Sequence, residues 1–325
     1  MLRYTIKRII MMIPVLLGVT IILFFIQALT PGNPADVALG QDAAEADKAA
    51  WISEHGLDDP IVVQYGKYMY KIITKGDFGT SYTNGKPITG ELISHWPTTI
   101  KLALMSLLMA CIIGILLGIL AAMKRNTWID SIARVFSILG VSMPNFWFAM
   151  LLIMLFSLKL KWLPVSGSYG PMYWILPIAT LGILNAAGIM RFTRAAMLDN
   201  SQQDFVRTAR AKGQSERMVI WHHILGNAMI PITTCIGQYL IGALAGAIII
   251  EQIFSLPGLG SLMMTAINQR DYPLLRGSVL LVAVSTSVIF LLIDLSYAAI
   301  DPRVKARFKS ITKSGKLSKK QVQKN

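Results

Sequence analysis

Apolar residues along this chain gather in blocks of about 20, long enough at about 1.5 Å per helical residue to cross a bilayer core of about 30 Å. Six blocks stand out: Ile9 to Leu29, Leu102 to Met123, Val135 to Leu158, Met172 to Met190, Ala228 to Ile250 and Gly277 to Ile300. Each predicts a transmembrane helix, because a spanning segment must satisfy its backbone N–H and C=O groups within itself. Asp294 is the one charge inside them, and Pro177 and Asn185 interrupt the fourth. The expected fold is all-α, a polytopic membrane protein with six transmembrane helices.

The composition agrees with that pattern. The chain is 54% hydrophobic and 15% charged, whereas water-soluble domains carry roughly a quarter charged residues, which excludes an ordinary cytosolic enzyme. The first block resembles a signal peptide only in its flank of Arg3, Lys7 and Arg8. It lacks a small-residue cleavage site and is longer than a signal core, so it reads as a retained helix. Cys111 and Cys235 both fall inside apolar blocks, where small residues serve helix contacts.

A net charge of +14, from 31 Lys and Arg against 17 Asp and Glu, would suit a nucleic-acid partner. Its distribution suits a membrane better, because positive loops resist translocation. A cytoplasmic N-terminus places Arg3, Lys7, Arg8, then Lys124, Arg125, Arg134, then the Arg191–Arg217 cluster, then the Arg303–Lys324 tail on the inner face. Both termini are therefore expected in the cytoplasm of a cell (plasma or inner) membrane protein. Lys313, Lys316, Lys319, Lys320 and Lys324 of the tail suit an anionic inner leaflet.

Four regions follow: an N-terminal transmembrane helix in 1–30, an extracytoplasmic cap in 31–97, a five-helix transmembrane domain in 98–302 with an inner loop at 191–227, and a basic cytoplasmic tail in 303–325. In the cap, Pro31, Gly32 and Pro34 bend the chain after the first span. Helices are expected from Ala43 to His55, with Asp42 as cap, and from Pro60 to Thr74, with turns at Gly76, Gly79 and Gly85. Gly79 to Lys86 superficially resembles a phosphate loop but fails on spacing, and Pro87 stands where Ser or Thr would be needed. Any ATP and Mg must be bound by another chain; none is expected on this one. His222 and His223 diverge by about 100° on a helix, and His55 and His95 are distant in sequence, so no metal site is expected.

In the inner loop, Asn200, Ser201 and Asp204 signal a helix start ahead of Phe205 to Lys212. Gly213 stops it, and Ser215 with Glu216 caps a second helix from Arg217 to Leu225. The expectation is two short angled helices between spans, with Arg207 and Ala211 on one face and a flat spot at Ala209 that another protein could approach.

Polar residues within the spans are candidates for a substrate pathway: Asn145, Asn185, Thr233, Thr234, Gln238, Ser285, Thr286 and Ser287. The same residue types also join membrane helices to one another. Gly114 with Gly118, and Gly242 with Gly246, have the spacing for close helix contacts. Asp294 lies near the inner end of its span, within reach of Arg134 or Arg191. Glu251, at the outer end of the fifth span, suits either a helix-end role or a contact to a substrate ammonium group.

At the inner loop the sequence resembles the membrane subunits of ABC importers. Their signature is Glu-Ala-Ala, three residues, Gly, nine residues, then Ile-x-Leu-Pro. Arg207, Thr208 and Ala209 through Gly213 keep the spacing, the third Ala and the Gly, while His223 and Gly226 replace the later Ile and Pro. Asp204 to Gly213 matches the peptide-importer pattern at every position. Pro31–Pro34, Gly76–Ser81, Trp162–Pro164, Glu251–Gly260, Arg270–Pro273 and Asp301–Val304 extend the likeness to nearly the whole chain.

The resemblance is to the B-type permease subunit of the dipeptide, oligopeptide and nickel transporter family. It implies a type I importer fold, a second permease subunit in a heterodimer, two ATP-binding subunits and an extracytoplasmic substrate-binding protein. It further implies an ATPase-coupling loop carried here by Asp204, Arg207, Ala209, Arg210, Ala211, Lys212, Gly213 and Glu216, no catalysis by this chain, and a pathway near Asn145, Asn185, Gln238 and Glu251. The cargo stays open between peptides, nickel or other metal chelates, and other small solutes. A secondary transporter driven by an ion gradient is the rival class, with one intramembrane acid as its support.

Overall fold

The computed structural model describes residues 2–300, with side chains for 5–293 and for Leu295. The basic tail and the side chain of Asp294 lie outside the described residues. Helices dominate the described residues; the only β-pairing among them is an isolated bridge between Thr80 and Pro87.

Helix α1, Leu2–Leu29, is the first span. The cap follows as α2, Pro34–Leu39, α3, Glu45–Glu54, and α4, Ile61–Lys75. Asn33 caps α2, its side chain accepting from the Ala35 amide at 2.9 Å. Asp42 does not cap α3 as expected. The helix starts later, with Ala44 at the cap and no side-chain bond there, and Glu45 and Asp47 place negative charge in its first turn instead. Gly76 ends α4 in the left-handed conformation at φ 62°.

Helix α5, Ile88–Met123, is 36 residues or about 54 Å long. Residues 88–97, assigned to the cap from sequence, are thus the projecting end of the second span. Helix α8, Met172–Ser201, likewise runs well past the expected end at Met190. The two pack backbone against backbone. A Cβ at Gly114 would sit 2.8 Å from the Ala186 carbonyl oxygen, and one at Gly118 would sit 2.8 Å from that of Met190. Within its most apolar stretch α8 is 61% buried, against 11% for α1, so α8 is central and α1 peripheral.

The third apolar block is not one straight span. It forms α6, Trp128–Ser142, and α7, Asn145–Leu152, which continues as a π-helix over Ile153–Lys159. The two pieces meet at 108°. Pro144 has no N–H to donate and pushes Met143 into extended backbone at φ −83°, ψ 125°. Among the described residues five helices are long and apolar enough to span by themselves, and six spans result if the bent pair counts as one.

After α8 the chain forms α9, Asp204–Ala211, and α10, Glu216–Met218. A π-helical turn over Val219–Ile224 then leads into α11, Leu225–Ile253. Helices α12, Leu259–Asn268, and α13, Tyr272–Ile300, complete the fold.

Candidate functional site

The α9–α10 loop is built by local sequence. After α9, Gly213 takes φ +78°; its N–H donates to the Arg210 carbonyl at 2.9 Å and that of Gln214 to the Ala209 carbonyl at 3.3 Å. This pair of bonds is the glycine-terminated helix end the sequence predicts. Ser215 then accepts from the Met218 amide at 3.4 Å, the expected cap of the second helix. Arg210 closes the corner, donating through Nε and Nη2 to the two Glu216 carboxylate oxygens at 2.7 and 3.1 Å. That carboxylate raises the Arg210 pKa above the ordinary guanidinium range. His223 Nε2 and Gln214 Oε1 lie 2.6 Å apart behind the turn.

Three expectations about this loop are corrected. Asn200 and Ser201 bond back to the carbonyls of Ala196 and Leu198 in α8, so Gln203 stands at the start of α9 without a side-chain cap. The second helix is not separate: α10 continues through the π turn into α11, giving one helix from Glu216 to Ile253. Ala209 presents no open spot. It is 5% exposed and packs with Val206, Val219, Ile224, Ile119 and Met197, because positions 206 and 209 share the inward face of α9. Asp204, Arg207, Arg210, Ala211, Lys212, Gly213 and Glu216 are all exposed.

Between α6 and α8 lies an ion pair that sequence reasoning missed. Asp130, in the first turn of α6 and fully buried, receives Arg194 Nε at 2.6 Å and Nη2 at 2.9 Å. The Asn126 amide donates to it at 3.1 Å, and Arg134 approaches to 3.7 Å. The pair ties α6 to the C-terminal part of α8. Its signal was an acid at a helix start close to a basic cluster, with the partner far along the chain.

On the opposite side of the bundle, Glu251 leaves no room for a substrate contact. It is fully buried, accepting from Thr99 Oγ1 at 2.6 Å, the Gly260 amide at 2.7 Å and the Ser261 amide at 3.2 Å. A Cβ at Gly258 would fall 2.3 Å from its carboxyl carbon, so this glycine makes space for the acid. Glu251 thus anchors the start of α12 to α11 and α5, and its expected place in a pathway is corrected to a structural one. Glu251→Ala should destabilise the protein by about 2–4 kcal/mol by leaving buried donors without an acceptor. Thermal melting of purified protein checks this, and an unchanged midpoint would refute it.

Asp271 plays a similar part for two distant motifs. Ser81 and Thr83 donate to its carboxylate, as does the amide of Leu274, so the Gly76–Ser81 and Arg270–Pro273 segments meet at the head of α13. Among the intramembrane polar residues, Thr233 and Thr234 bond to carbonyls of their own helix, and Ser285 receives the Trp96 indole N–H at 2.9 Å. Asn145 abuts Gly246 on α11. Asn185 keeps a buried side-chain NH2 without a partner, and Gln238 is exposed. No hydrogen bond joins these three among the described residues. The small-residue expectation holds for Gly114 and Gly118 but not for Gly242, which has open space around it.

These features define an integral membrane protein, a bundle of apolar helices with a built α9–α10 corner that carries exposed charges. The chain belongs to the binding-protein-dependent transport system inner membrane component family, which matches residues 114–306, with the N-terminal component of the same systems matching residues 1–103. It is a multi-pass inner membrane protein, an ABC importer permease subunit of the dipeptide and glutathione transport family. The dipeptide transport system permease protein DppB of Alkalihalophilus pseudofirmus is 39% identical over 333 residues, covering 94% of this chain and 100% of that one. The glutathione transport system permease protein GsiC of Escherichia coli (strain K12) is 39% identical over 305 residues, covering 94% and 99%.

The fold is that of type I importers. The inward-facing MetNI methionine ABC transporter superposes with a TM-score of 0.56 at 16% identity, over 66% of this chain and 99% of that one. An amino acid ABC transporter crystallised with histidines gives 0.54 at 17% identity, over 65% and 94%.

Proposed function

We propose that this chain is one of two permease subunits in an ATP-driven importer of di- or oligopeptides. The complex includes two ATP-binding subunits, one of which docks on the α9–α10 corner of this chain; a substrate-binding protein delivers cargo at the cap, and both termini face the cytoplasm. ATP and Mg reside on the partners; this chain performs no chemistry and binds no cofactor. The observation that carries the reading is the continuity of the corner with α11. Exposed Arg207, Ala211, Lys212 and Gly213 sit on a turn locked by Arg210 and Glu216. That turn leads without interruption into a helix reaching Ile253. A push on the corner would move a whole span, which is what rocking between inward-open and outward-open arrangements needs.

The peptide class is favoured by the dipeptide relative and by the match of Asp204 to Gly213 to the peptide-importer pattern. The glutathione relatives support a second reading, a glutathione importer.

Gly213→Val in the assembled complex tests the coupling role. A β-branched residue at φ +78° costs at least about 1–2 kcal/mol, so the corner should re-aim and substrate-stimulated ATP hydrolysis fall about tenfold. Unchanged stimulation and uptake would sink the assignment.

A further inference from the structure

Helix α4 in the cap has three distinct sectors around its axis. At about 100° per residue, Tyr65, Tyr68 and Ile72 form one, and it faces the protein. Tyr65 shares a hydrogen bond with Thr20 at 2.9 Å and meets the Phe24 ring edge-on at 5.3 Å. Tyr68 packs on Phe24 at 5.4 Å, and the Arg276 guanidinium covers both rings at 4.2 and 4.8 Å. The second sector is apolar and open, with Val62 76%, Ile73 75% and Tyr70 65% exposed. The third is a row of Lys67, Lys71 and Lys75 spaced four apart, Lys67 also paired with Asp59.

Two spans running in opposite directions fix the level of this helix. Phe24 is five residues, or about 7.5 Å, from the end of α1 at Leu29. Arg276 directly precedes Gly277, where the apolar run of α13 begins. Both place Tyr65 and Tyr68 at the cap-side edge of the hydrocarbon. At that level an exposed apolar sector faces acyl chains rather than water, and neighbouring lysines reach headgroup phosphates.

We infer that α4 is an interfacial helix whose partner is the lipid surface. Val62, Tyr70 and Ile73 enter the acyl boundary, the lysine row holds the phosphates of phospholipids, and Tyr65 and Tyr68 fasten the helix to α1 and α13. The cap is thereby held at a fixed height on the bilayer. This inference rests on the membrane fold and not on the identity of the cargo.

The test uses the assembled transporter carrying Cys111→Ala and Cys235→Ala in phosphatidylcholine nanodiscs, with and without phosphatidylglycerol. Single nitroxide labels are placed through Val62→Cys, Ile73→Cys and Lys71→Cys, with Tyr70→Cys as a further apolar-sector site should one variant fail to assemble. Labels at 62 and 73 should collide more with oxygen than with a water-soluble nickel chelate, at a depth of about 5–10 Å, and the label at 71 should show the reverse. Phosphatidylglycerol should deepen the apolar-sector labels, and combined Lys67→Gln, Lys71→Gln and Lys75→Gln should remove that dependence. If the chelate reaches 62 and 73 as freely as 71 in intact complex, the inference is wrong. Protection that arises only when a substrate-binding protein is added would assign the face to protein and overturn it equally.

Discussion

Gly118→Val is expected to prevent recovery of correctly folded protein. A Cβ there would lie 2.6 Å from that of Thr193 and 2.8 Å from the Met190 carbonyl oxygen. One neighbour is backbone and cannot rotate away, so α5 and α8 must separate along the most buried seam of the fold. Overpacking in a tight core costs about 1–3 kcal/mol and occasionally more, and the valine should lie at or beyond the upper end. The sharper comparison uses alanine, which stabilises an unconstrained helix by about 1 kcal/mol relative to glycine. Gly118→Ala should lower the melting temperature, whereas Gly242→Ala, with nothing within 4 Å of its Cβ, should leave it unchanged or raise it. Equal responses would contradict the seam.

Asp130→Ala is expected to destabilise the protein almost as strongly. It leaves the Arg194 guanidinium without its two-bond partner and the Asn126 amide without an acceptor. Breaking a fully buried pair costs about 3–5 kcal/mol. Arg194 keeps 20% side-chain exposure and hence some water, so about 2–3 kcal/mol is expected after that discount. Arg194→Leu in the same background should recover part of the loss, because the stranded charge is then gone. Thermal melts of the single and double variants read this directly; additive losses would show that the pair contributes no coupling.

Both predictions concern the seams around the α9–α10 corner. Val206 and Ala209 bind α9 to a cluster that also takes in Ile119 of α5 and Met197 of α8. Asp130 and Arg194 join α6 to α8. The corner therefore packs on α5, α8 and α11, while the ion pair fixes α6 to the same helix α8.

Proline shows where local reading stops. Pro14, Pro97, Pro177 and Pro231 all lie inside apolar helices that continue through them. Pro144, also inside an apolar block, instead stands at a break of 108°. All five lack an N–H and carry a ring in the way of the preceding turn. Whether the chain bends depends on whether neighbouring helices support a continued axis, and no window of sequence contains those neighbours. The π-helical turn at Val219–Ile224, which joins α10 to α11 where a second short helix separate from the fifth span was expected, is of the same kind.

By itself the sequence determined what run length and local backbone chemistry control. That includes the all-α class, the positions of most spans, the left-handed glycine at 213 and the Ser215 cap, because each depends on residues within a turn or two of one another. Tertiary structure alone decided which way the decisive side chains point. Ala209 turns inward onto Val219, Glu251 serves the amides of α12 instead of a pathway, and Asp130 finds Arg194 far along the chain. A charge or a small residue on a helix has the same local signature on any face. Packing selects the face, through contacts with segments distant in sequence and through the cost of leaving a buried polar group without a partner.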